Sequence, residues 1–167
     1  MNAIVNFIVD NFGSNGSILS KEILVFIISL FPILELRGGL LAASLLGLDA
    51  FKSYIICFIV NILPIPFILW FIDSIFKFLK KTRLKNIIFK LENKANSKKS
   101  QIEKYGYLGL VLFVGIPLPG TGAWTGSLIA VMLGMDKKKS FLAILIGVLM
   151  ASIIMMLISF GVLRSII

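Results

Sequence analysis

Gly115-Ile116-Pro117-Leu118-Pro119-Gly120-Thr121-Gly122 interrupts an otherwise apolar stretch, residues 108–135. The prolines remove amide donors and the glycines loosen the backbone, so no single regular helix runs through this string. A second apolar stretch, residues 23–48, is broken in the same manner by Phe31-Pro32-Ile33-Leu34-Glu35-Leu36-Arg37-Gly38-Gly39. Residues 53–76 and 141–163 are unbroken apolar runs, and each meets the roughly 20 residues that a transmembrane helix needs. The broken stretches are read as re-entrant helical hairpins that dip into a bilayer and return to the same face. Two kinked full-length spans are the alternative.

Sliding the chain on itself by 87 positions supports the hairpins. The offset aligns Phe26 with Phe113, Pro32 with Pro119, Gly39 with Gly126, Leu41 with Leu128 and Ala43 with Ala130. Without a gap it goes on to align Gly47 with Gly134, Asp49 with Asp136, Lys52 with Lys139, Ser53 with Ser140 and Ile59 with Ile146. Apolar matches mean little in such a chain, but the Pro, Gly, Asp, Lys and Ser matches fall at the breaks and turns. Each repeat then holds a hairpin, a short turn and one full span. An odd number of crossings per repeat turns the second upside down, as in many secondary transporters.

Composition agrees with a membrane setting. Of 167 residues 58% are apolar and 15% charged, against roughly a quarter charged in soluble domains. One compact membrane domain over residues 1–167 is expected, made of an N-terminal segment (1–20), repeat 1 (21–73), a basic linker (74–104) and the inverted repeat 2 (105–167). Histidine is absent and Cys57 is the one cysteine, so no Cys/His metal site or disulfide is expected within a chain, and no cofactor. The net charge of +9 comes with no nucleic-acid recognition motif, and anionic lipid headgroups are the better partner for it.

Ten Lys/Arg lie between Lys77 and Lys104, and the hairpin topology puts them on one face with Lys137, Lys138 and Lys139. The other face holds Lys21, Lys52 and Arg164, so the positive-inside rule assigns the linker face to the cytoplasm, thirteen basic residues against three. A multi-pass protein of a bacterial-type plasma (inner) membrane follows. From Ser74 to Leu91 apolar and basic residues interleave as in an amphipathic helix lying on the inner leaflet, and 93–101 reads as loop. The apolar run Ile4 to Val9 is too short to span and lacks the flanks of a signal peptide.

Glu35 and Arg37 are the charged residues that fall deep in a hydrophobic stretch, and both sit at a break. A charge at membrane depth costs about 2.5–3.5 kcal/mol, so each needs a partner or a water-filled cavity. They satisfy each other or cap the turn, or they form a site in which Glu35 carries a proton and Arg37 offers a forked donor to phosphate or carboxylate. The second break adds exposed amides around Pro119, Gly120, Thr121 and Gly122, and a half-helix beginning near Thr121 to Trp124 aims its positive dipole end at the midplane. Gly38, Trp124 and Thr125 complete the candidate set. Asn61, with Pro64 and Pro66, kinks the first full span and bonds either near the site or across a helix interface. No nucleophile–base pair is visible, so an enzyme is not expected.

Glu35-Leu36-Arg37-Gly38, Asn61-Ile62-Leu63-Pro64-Ile65-Pro66, Tyr105-Gly106-Tyr107-Leu108-Gly109 and Pro117 through Gly126 resemble the small multidrug export proteins, over nearly everything after residue 20. That family is more distantly similar to the DedA superfamily, whose members are built from facing re-entrant hairpins and include proton-dependent lipid-phosphate flippases. The resemblance implies a transporter or flippase for an amphipathic substrate. In DedA relatives the hairpins bear essential acidic and arginine residues, whereas here Glu35 and Arg37 share the first hairpin and the second has no charge.

The expectation is thus an all-α integral membrane protein, two inverted units of hairpin plus span with a basic linker helix. Its function is movement of an anionic amphiphile, such as a lipid phosphate, with protons as coupling ion. A cation-exporting drug transporter and a non-transporting scaffold are the alternatives, and a homodimer stays open.

Overall fold

A computed structural model describes residues 18–79, Phe89, Asn93, 105–118 and 120–162, with the side chains of 73–79 and Val162 left aside. Among the described residues the secondary structure is entirely helical: α1 (Ile18–Leu30), α2 (Glu35–Leu45), α3 (Ala50–Ile62), α4 (Pro64–Leu79), α5 (Gly106–Gly115), α6 (Ala123–Met132), α7 (Lys137–Met156) and a π-helical continuation (Leu157–Val162). The expected N-terminal segment to residue 17, the amphipathic helix beyond Leu79 and nearly all of the 93–101 loop lie outside the described residues, as does Pro119.

Both sequence breaks are breaks in the backbone. The first is shorter than the sequence suggests: the chain turns over residues 31–34, and Glu35 through Gly39 are already helical. The second separates α5 from α6 at the expected place. Pro64 opens α4 directly after Leu63, where its missing amide costs nothing, so the first long run is two helices in series.

Residues 50–72 and 137–161 are long and apolar enough to cross a membrane, with mean hydropathies of 2.6 and 2.9. Their outward faces are what a bilayer requires. Phe51, Ile55, Ile59, Leu63, Phe67 and Phe71 recur every fourth residue along α3 and α4, and all are exposed. Leu142, Ile146, Leu149, Ile153 and Leu157, three or four residues apart, form a like exposed stripe on α7 and its continuation. In water such stripes would be a large unfavourable apolar surface; against lipid they are at no disadvantage.

The inward faces mix small or polar residues, Ser53, Cys57 and Asn61 on α3 and Ser140, Ala143, Gly147, Ala151 and Ser152 on α7, with larger apolar ones, Val60 on α3 and Ile144, Val148 and Met155 on α7. Without a hydrophobic drive between helices in lipid, close backbone approach supplies the packing. A Cβ added to Gly147 would come within 2.7 Å of the Val114 side chain, so α7 can lie on α5 only with glycine there. Gly39, on α2, is pressed between Ser29 of α1 and Cys57 of α3, and its offset partner Gly126, on α6, against Val114 of α5. The second-unit helix α6 also packs on α4, and α7 on α2 and α3, which locks the two halves together.

The turns that follow α2 and α6 match bond for bond. Gly47 and Gly134 take the left-handed conformation (φ 67° and 64°), and the amides of Leu48 and Met135 return to the carbonyls of Ala43 and Ala130, both at 3.0 Å. Asp49 and Asp136 then cap the next helix by accepting from the amides of Lys52 (2.8 Å) and Lys139 (2.9 Å).

Candidate functional site

Glu35 is the first residue of α2 and the one non-glycine at positive φ (50°) among the described residues. That conformation is disfavoured by about 1–2 kcal/mol. What holds it is visible at the carboxylate, which is buried. Oε2 accepts from the Ala123 amide and Oε1 from the Trp124 amide, both at 3.2 Å. These amides open α6 and have no partner within their own helix, so a carboxylate there satisfies two donors and meets the positive end of the helix dipole.

Arg37, two residues on and also buried, does the opposite job at the end of α5. Its Nη1 donates to the carbonyl of Leu118. Its Nη2 faces the carbonyls of Ile116 (3.3 Å) and Val114 (3.4 Å) and the Thr121 hydroxyl (3.2 Å). Thr121 Oγ1 in turn lies 3.0 Å from the Ile116 carbonyl and 2.9 Å from that of Leu118. A cation therefore closes the C-terminal carbonyls of α5 and an anion closes the N-terminal amides of α6. Both come from one turn of α2. Glu35 and Arg37 are the only buried charged side chains among the described residues.

Gly122 makes the approach possible. Its φ of 149° suits glycine, and an added Cβ would collide with the Glu35 carboxyl. Glu35, Arg37, Asn61 and Gly122 line one void with Ala123, Val148 and Ala151, too small to admit a water molecule. Asn61 is 1% exposed and its Oδ1 has no hydrogen-bond partner. Arg37 Nε and Trp124 Nε1 are likewise buried and unpartnered.

The structure thus brings Glu35, Arg37, Asn61, Thr121 and Gly122 together, with Trp124 joined through its backbone. Gly38 is a packing position, where an added Cβ would lie 2.7 Å from Leu34 and 3.2 Å from Ile28. Gly120 is exposed and Thr125 half-buried, and neither is a partner of the two charges. The carbonyls of Val114, Ile116 and Leu118 are partners that the sequence reading missed. The signal was the end of α5, whose last carbonyls needed donors. Alongside, α5 and the break form an open groove of about 260 Å³, lined chiefly by the apolar Leu112, Phe113, Ile116 and Leu118 and closed by Thr121.

Outward apolar stripes, two membrane-length helices and a buried charged site between broken helices define a helical membrane protein. The family model described as "Putative small multi-drug export protein" matches residues 35–154, and the chain belongs to that family. No curated protein and no solved structure matches the chain.

Proposed function

We propose that the chain is a proton-coupled transporter or flippase, DedA-like in plan, that moves an anionic amphiphile of the lipid-phosphate kind between the two breaks. The observation that carries this reading is the engagement of Glu35 with the α6 amides beside Arg37 in a dry pocket. Ionised, Glu35 occupies the anion site itself. Once protonated it is a poor ligand for those amides, and a substrate phosphate takes its place next to the guanidinium. The apolar groove along α5 suits the substrate's tail.

Helix lengths favour re-entrant hairpins in this account. At 1.5 Å per residue α1, α2, α5 and α6 run about 20, 16, 15 and 15 Å, short of the ~30 Å hydrocarbon core. The second unit is then inverted, with the basic linker and Lys137 to Lys139 in the cytoplasm of a plasma membrane.

The family's description, multi-drug export, favours a second reading; in this chain that would be export of a lipophilic cation with Glu35 as its site. Arg37 argues against it, because it offsets the buried negative charge. Trp124 and Trp70 are the two tryptophans, so Trp70→Phe isolates a probe at the site. Titration of that protein with a short-chain phosphatidic acid and with tetraphenylphosphonium is expected to show tighter binding of the phosphate. Arg37→Ala should weaken it by about 2–5 kcal/mol. Tighter binding of the cation, improved by Arg37→Ala, would favour drug export instead.

A further inference from the structure

The void beside Glu35 contains a mismatch of hydrogen-bonding groups. An ionised carboxylate only accepts, and the α6 amides and Arg37 only donate. A protonated Glu35 gains an O–H that needs an acceptor, which neither can supply. Asn61 of α3 lines the same void, and its Oδ1 is a buried acceptor with no partner. An unpaired buried carbonyl is destabilising, so its persistence beside a carboxyl group asks for a use.

We infer that Asn61 receives the protonated Glu35 carboxyl when it leaves the α6 amides, so that Glu35 moves between two built positions. The inference rests on the reading of Glu35 as the proton site. Charged or titratable groups on the elements packed around Glu35 are Lys21 and Glu22 of α1, Arg37 of α2, Lys52, Tyr54 and Cys57 of α3, Tyr107 of α5, and Lys137 to Lys139 of α7; α6 has none. Of these only Arg37 lines the void. Its unpartnered Nε is the rival donor for Asn61. With Asn61 as acceptor, the protonated state is stabilised and the α6 amides are free for substrate. The device is a positioning one: Asn61 sets how readily the proton binds and touches no substrate.

Trp124 fluorescence in the Trp70→Phe protein, followed from pH 4 to pH 9, reads the switch, because the Trp124 amide is a Glu35 partner. A transition is expected that Glu35→Gln abolishes. Asn61→Leu should shift it about tenfold in proton concentration toward acid, with the melting temperature unchanged or raised since an unpaired polar atom is gone, and Asn61→Gln should restore it in part. Should the leucine variant fail to fold, Asn61→Val repeats the test. The shift should persist in an Arg37→Lys background, which lacks Nε. A transition unmoved by Asn61→Leu, or a shift that vanishes with Arg37→Lys, overturns the role of Asn61 and leaves Glu35 standing. Absence of any Glu35-dependent transition overturns both.

Discussion

At the turns, residues 46–49 and 133–136, the two halves use the same residues for the same bonds: a left-handed glycine, a returning amide and an aspartate cap. At the breaks they do not. The first supplies two charged side chains and a short backbone turn, and the second supplies bare amides and carbonyls with no charged side chain. Repetition is kept where it builds helices and abandoned where the halves meet. Unlike breaks can complete each other.

Gly122→Ala tests that complementarity most severely. The new methyl group would occupy the carboxyl position at a φ that strains alanine, displacing Glu35 from both amides. A loss of at least about 4 kcal/mol is expected from the strain plus two charge-assisted bonds, read as a lower detergent-solubilised melting temperature. Glu35→Gly in the same background should recover part of it by removing the collision. At the turns the effects should be smaller and equal: Asp49→Ala and Asp136→Ala should each cost about 1 kcal/mol, the usual worth of an N-cap. Unequal effects there would mean that the shared geometry is not shared energetics.

Much of this could be read from residues alone. Gly47, Gly134, Asp49 and Asp136 stood out through the offset because turns need particular residue types. Glu35 and Arg37 stood out because charge in an apolar run is expensive. What the sequence leaves open is who answers whom. It shows that α6 begins with free amides and that Glu35 is acidic, yet not that one fills the other. The void at Asn61 is a matter of helix packing between α2, α3, α5, α6 and α7, to which no local pattern points. Gly122 was expected to bare an amide for a ligand; its lack of a side chain in fact admits Glu35.

In the proposed cycle Glu35 couples proton binding to release of the α6 amides, and transport reads that coupling directly. In vesicles holding the purified protein, transbilayer movement of a fluorescent lipid-phosphate analogue should be stimulated by an imposed pH gradient. In Glu35→Gln, folded and inserted, the stimulation should disappear because the amide cannot take up a proton in this pH range. Stimulation of equal size in Glu35→Gln would rule out that coupling and leave Glu35 a structural cap on α6.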